Sequence, residues 1–167
     1  MRGASPERVA PGAGQESVWD YPRPPRVEPS ARRVRVVLGG VTVADSTRAQ
    51  RVLERSHPPV YYVPVEDVLP GALEPAAGST FCEWKGTARY YTVRAGGREA
   101  PRGAWSYPSP VPRFRPIAGH VAFYPAAMDA CSLDAEPVRP QEGGFYGGWV
   151  TDEIVGPFKG GPGTGAW

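Results

Sequence analysis

A chain of 167 residues with a net charge of +2 is sized for one domain, and so weak a balance does not by itself imply the clustered basic surface that nucleic-acid binding uses. Its 21 Gly and 21 Pro leave few windows able to sustain a helix, whereas five Trp, eight Tyr and five Phe exclude a chain too polar to fold. No apolar run is long enough to span a membrane and the N-terminus lacks a signal-peptide pattern, so a cytoplasmic protein is expected.

In that compartment Cys82 and Cys131 are expected as reduced thiols. With His57 and His120 they form no zinc-binding spacing, so neither a metal nor a cofactor is expected. Only Lys85 and Lys159 stand against 17 arginines, the bias of a bacterial genome rich in G and C.

Residues 1–16 are rich in Gly, Ala, Pro and Glu without hydrophobic period, and read as a disordered tail before a single domain over 17–167. Trp19-Asp20-Tyr21-Pro22-Arg23-Pro24-Pro25 carries two aromatics that need burial and three prolines, which predicts an extended strap along the domain. The Arg32-Arg33-Val34-Arg35 cluster alternates charge with valine, as the solvated face of a strand does.

Two β-branched runs, Val34 to Leu38 and Val41 to Ala44, joined by Gly39-Gly40, predict a hairpin. Asp45, Ser46 and Thr47 then offer caps for a short helix through Ala49, Val52 and Leu53, ended by His57-Pro58-Pro59. Strand resumes at Val60-Tyr61-Tyr62-Val63, with Pro64 at an edge or at its end, and Glu66 to Leu69 is a turn or a single helical turn.

A second hairpin is predicted from Thr80 to Lys85, through Gly86-Thr87, to Ala88–Arg94, with a Gly96-Gly97 turn after it. Within it Cys82-Glu83-Trp84-Lys85 gathers a thiol, a carboxylate, an indole and an ammonium. Strand alternation puts Thr80, Cys82 and Trp84 on one face and Phe81, Glu83 and Lys85 on the other. The polar pair is then either a same-face ion pair or a pair aimed into a pocket. Trp105 to Pro108, Gly119 to Tyr124 and Phe145 to Val150 add aromatic strands, and no βαβ alternation is visible. The fold class is therefore mainly β, with two packed antiparallel sheets and one short helix.

For chemistry, Cys82 needs a base or a helix N-terminus to become a nucleophile, and nothing in the spacing supplies one. His120 sits in an apolar strand, where a structural role is the simpler reading. The glycine-rich stretch after Lys159 has the wrong order of Gly, Lys and Thr for a phosphate loop. The aromatic residues, by contrast, exceed what filling a core needs, and Trp and Tyr rings can hold a cation or a flat polar ring.

Val60-Tyr61-Tyr62-Val63-Pro64, Cys82-Glu83-Trp84-Lys85-Gly86, Trp105-Ser106-Tyr107-Pro108, Ile117 through Pro125, and Phe145-Tyr146-Gly147-Gly148-Trp149 together resemble the family known as domain of unknown function 427. The resemblance implies a β-tent: two antiparallel sheets set at a steep angle, as in the ligand-binding domain of cereblon, which uses a tryptophan cage. The four-cysteine zinc site of many β-tents is missing here. So are the Gly-Ser and paired aspartates that a nucleotidyltransferase label, sometimes applied to the family, would require.

The expected function is binding of an unidentified small polar or cationic ligand, with no nucleic-acid or membrane partner. Trp84, Trp105, Trp149, Tyr61 and Tyr124 are the candidate walls, and Glu83, Lys85 and Arg51 the orienting charges. The alternatives are an enzyme using Cys82 or the Glu83/Lys85 pair, and an adaptor using the proline-rich strap.

Overall fold

The computed structural model describes residues 6–167, so the first five residues of the expected tail lie outside the described residues. In chain order the strands are β1 (Glu16–Ser17), β2 (Arg26–Ser30), β3 (Val34–Leu38), β4 (Val41–Ser46), β5 (Ala49–Leu53), β6 (Val60–Pro64), β7 (Leu73–Cys82) and β8 (Gly86–Ala95). They continue with β9 (Arg98–Ser106), β10 (His120–Phe123), β11 (Ala130–Leu133), β12 (Glu136–Pro137), β13 (Arg139–Pro140), β14 (Trp149–Val150) and β15 (Ile154–Val155). Helical structure among the described residues is confined to short 3-10 segments at Val18–Asp20, Val65–Asp67, Pro112–Ile117 and Pro125–Ala127.

The protein is mainly β, as its punctuation by Gly and Pro predicts. Seven strands form one antiparallel sheet in the order β2-β5-β6-β10-β9-β8-β7, and four form another in the order β12-β11-β3-β4. The short pairs β1-β15, which is parallel, and β13-β14 complete it.

Strand alternation gives the large sheet two apolar faces. From one face Tyr61, Val63, Val93, Ala104, Val121 and Phe123 pack with Val34, Val36, Leu38, Val43 and Leu133 of the four-stranded sheet, forming the main core. From the other face Val52, Tyr62, Ala88, Trp105 and Ala122 pack under Tyr107, Phe114 and Ile117. Consecutive residues therefore serve different layers: Tyr61 and Tyr62 part, and so do Ala104 and Trp105. A third cluster joins the chain's two ends, where Trp19 meets Trp167 edge-on at 5.5 Å.

The expected strap is packed onto the domain. Trp19 and Tyr21 are buried and Trp19 Nε1 donates to the Pro157 carbonyl at 2.8 Å, though the strap begins in a 3-10 turn at Val18–Asp20 and is not extended there. Within the stretch expected as a tail, Val9 N–H donates to the Gly156 carbonyl at 3.0 Å and Glu16 N–H to the Glu153 carbonyl at 2.8 Å. Pro64 stands at the end of β6 and not on an edge strand, since β6 lies between β5 and β10.

The segment expected to be a helix is instead β5. Five residues are too few to recover the cost of nucleating a helix, whereas β2 and β6 offer a ladder on each side. The residues taken for caps make a tight return instead: Ser46 Oγ donates to Asp67 Oδ2 at 2.6 Å and accepts from Arg48 N–H at 3.2 Å.

The glycine turns form as predicted. Gly39 and Gly40 have φ of 59° and 73°, and Gly96 and Gly97 have 57° and 76°, the left-handed conformation of two-residue hairpin turns. The two turns also touch, which joins one end of the small sheet to one end of the large one. A Cβ on Gly39 would stand 2.3 Å from the Ala95 carbonyl oxygen, whereas one on Gly40 would meet nothing within 4 Å. Gly40→Ala should thus cost only the left-handed strain of about 1–2 kcal/mol. Gly39→Ala must also part the turns and should cost about 3 kcal/mol or more. Urea unfolding of both variants checks this; equal costs would show that the turns do not bear on each other.

Candidate functional site

The second face of the large sheet does not close completely. Above Tyr62, Tyr90 and Trp105 lies a cavity of about 340 Å³, walled by the β7–β8 turn on one side and the 141–148 loop on another. That volume suits a small ligand.

The turn corrects one expectation. Glu83-Trp84-Lys85 is not strand but the connection between Cys82 and Gly86, which are paired across the hairpin. Gly86 takes φ of 112°, which lets the chain reverse there. Freed from alternation, Cys82, Glu83, Trp84 and Lys85 all border the same cavity. Among the described residues Glu83 and Lys85 form no ion pair; Lys85 Nζ lies 5.7 Å from the centre of the Tyr107 ring instead.

Trp105 anchors the floor. Its Nε1–H donates to Tyr62 Oη at 3.3 Å, and Tyr124 packs on it with ring centres 4.4 Å apart. The 141–148 loop rests on the same indole. A Cβ on Gly147 would fall 2.2 Å from the ring, so only glycine lets the loop approach this closely. Burial pushes the phenols of Tyr62 and Tyr107 upward and that of Tyr124 up to about 12, so all three stay protonated at neutral pH.

Two further rings flank the mouth. Phe81 and Phe145 are 77% and 71% exposed, unusual for phenylalanine, and both border the cavity. Thr80, Tyr90, Tyr124, Phe145 and Tyr146 also border a second, more open depression of about 460 Å³, which Arg102 enters across Tyr90 at 4.1 Å.

Beneath the loop a buried polar network ties three chain segments together. Gln141 Nε2 donates to His57 Nδ1 at 3.1 Å and to the Lys159 carbonyl at 2.7 Å, while its Oε1 accepts from Gly148 N–H at 3.2 Å. With Nδ1 accepting, the imidazole proton sits on Nε2, which faces Glu54 Oε2 at 3.5 Å. Burial first, then the charges of Lys159, Arg23 and Lys85, lower the His57 pKa to about 3. His57 is therefore a neutral structural group whose Nδ1 is taken by Gln141.

Of the eight residues expected to form the site, the fold brings five together here: Trp84, Trp105, Tyr124, Glu83 and Lys85. Three lie elsewhere. Tyr61 and Trp149 are on the main-core side, 5.4 Å apart, with Trp149 Nε1 donating to the Phe123 carbonyl at 3.2 Å. Arg51 is held between Glu28 and Glu16, the latter at 2.6 Å, beside a different depression. Burial opposes ionisation of Glu16, but Arg51 outweighs it and holds the carboxyl below its usual range.

Sequence reasoning missed Tyr62, Tyr90, Tyr107, Tyr146, His57 and Lys159. Alternation held the signal for Tyr62: in a sheet covered on both faces, one member of the Tyr61-Tyr62 doublet must leave the main core. No hydrogen bond joins Cys82 to a histidine among the described residues; His120 Nδ1 lies 2.9 Å from the Ala118 carbonyl, away from the cavity. Nor do the described residues contain a cluster of three or more His, Cys, Asp or Glu able to hold a metal, and no helix is long and apolar enough to cross a membrane.

Residues 26–134 match the family described as Domain of unknown function (DUF427), and the chain belongs to that family. No curated protein matches it. The matched segment carries the 83–85 turn, Tyr62, Tyr90, Trp105, Tyr107 and Tyr124; Gln141, Tyr146 and Lys159 follow it.

The His57 network makes stability depend on pH with a definite sign. Below an ordinary value of about 6.5 the unfolded chain protonates this histidine, but the folded chain does so only near its lowered value of about 3. Its contribution is complete above about 6.5 and is lost as pH falls toward 3, by up to about 1.4 kcal/mol per pH unit. In urea unfolding between pH 7 and pH 4, wild type should lose more stability than His57→Gln. Parallel losses would show that the folded imidazole titrates normally.

Proposed function

We propose that this protein binds a small, planar, polar molecule in the cavity between the 83–85 turn and the 141–148 loop. The observation that carries this reading is the convergence of Trp84, Trp105, Tyr90, Tyr107, Tyr124 and Tyr146 around empty space with charged groups at its border. Rings packed only to fill a core would leave no such volume. A flat ligand would stack on the Trp105–Tyr124 floor and receive hydrogen bonds from protonated phenols. The exposed Phe81 and Phe145 would cover it, recovering apolar burial that the free protein forgoes.

Two tryptophan variants separate wall from core. Trp84 is half-buried on a turn and Trp149 is 1% exposed. Trp149→Ala should cost about 3–5 kcal/mol of stability. Trp84→Ala should melt near wild type yet lose the response to ligand in a fluorescence and thermal-shift screen of aromatic acids, cyclic imides, pyrimidines and quaternary amines. A hit that binds Trp84→Ala as tightly as wild type would overturn this placement.

A further inference from the structure

The chain has two lysines, and both border the same cavity. Both are half-buried, and neither lies within ion-pair distance of an Asp or Glu side chain among the described residues. Arginines at Arg23, Arg32, Arg33, Arg48, Arg51 and Arg94, in contrast, each face a carboxylate within 3.3 Å.

The two ammonium groups rest on aromatic rings. Lys85 Nζ lies 5.7 Å from the Tyr107 centre and Lys159 Nζ 5.7 Å from the Tyr146 centre. An ammonium has three N–H donors. Lys159 uses one on the oxygen of Trp167, the last residue of the sequence, at 3.2 Å and keeps two, whereas Lys85 makes no hydrogen bond through its side chain among the described residues.

The acidic groups on the cavity do not neutralise this pair. Glu54 is shared between Arg23, at 3.3 Å, and the neutral His57. Glu83 is exposed to water on the turn. The only other charge on the neighbouring depression is Arg102, again positive. Both lysines lower the pKa of the buried His57, so their fields overlap on that side of the cavity. A cationic guest would find the ring faces of Tyr107 and Tyr146 already taken by the protein's own ammonium groups.

Resting on the cavity reading above, we infer that the ligand is a small planar acid: an aromatic or heteroaromatic ring lying on Trp105 and Tyr124, with its carboxylate held by Lys85 and Lys159. Charge-assisted hydrogen bonds to two half-buried ammonium groups are stronger than neutral ones.

Matched probes test the charge separately from the cavity. Naphthylacetate, naphthylacetamide and naphthylethylamine, with their phenyl counterparts, share a ring and differ in the charge of the arm. Binding is read by calorimetry and by shifts of the indole N–H resonances of Trp84 and Trp105. The acid should bind about tenfold tighter than the amide, which corresponds to about 1.4 kcal/mol, and the amine weakest. Lys85→Met and Lys159→Met should each weaken the acid more than the amide and so erase most of that preference, and Lys85→Arg should retain it; a preference undiminished in both Met variants would overturn the assignment. Equal binding of acid, amide and amine at the cavity would overturn the acid assignment and leave the cavity reading standing. Tightest binding of the amine would do the same. No shift of either indole with any probe would overturn both.

Discussion

The constraint on which the rest depends is that the seven-stranded sheet is covered on both faces. A strand sends successive side chains to opposite sides, so every strand in its middle must supply apolar residues at odd and even positions alike. The doublets obey this. Tyr61 joins the main core while Tyr62 goes to the other face, and Tyr91 parts from Tyr90 in the same way. One side is closed by another sheet, with which it shares the main core. The other is closed by 3-10 turns and loops, and there the aromatic layer is left partly open.

This difference explains why the cavity and its aromatic walls lie on the second face. The scaffold positions Tyr62, Tyr90 and Trp105 through ladder register: Tyr90 pairs with Trp105, and Trp105 with Ala122. Onto that rigid floor the turn brings Trp84 and Lys85, and the loop brings Tyr146. Gly147 lets the loop lie against Trp105, and the Gln141 amide fixes it to His57 and Lys159. The loop is therefore held by packing and hydrogen bonds, and preorganisation of that kind would lower the entropic cost of any binding there.

Much of the fold was legible because its signals are local. Gly39-Gly40 and Gly96-Gly97 adopt the positive φ that their residue type permits, and β-branched runs beside them become strands. The segment at residues 49–53 was misread because Asp, Ser and Thr serve turns as readily as helix caps; the ladders from β2 and β6 decide between them, and those are non-local. Local pattern likewise extended a strand over Glu83 to Lys85, where the chain turns. The site was legible in part for the same reason. Trp84, Trp105, Tyr124, Glu83 and Lys85 meet because residues near strand ends face the open layer. Trp149 and Tyr61 look identical by composition, yet register takes them into the main core.

The buried His57 shows how the scaffold and the cavity constrain each other. A histidine beside two lysines and away from water is costly to protonate, so it serves as a fixed neutral acceptor for Gln141. That same amide orients the backbone of Gly148 and the carbonyl of Lys159, and so sets where the loop and the second lysine stand. A charged imidazole would lose the Gln141 bond and add a third cation to that side of the cavity. Depression of its pKa is thus a condition for the arrangement of the site as well as a consequence of burial. The network links the β5–β6 connection, the 141–148 loop and Lys159 into one unit, so a change in any of the three reaches the wall of the cavity.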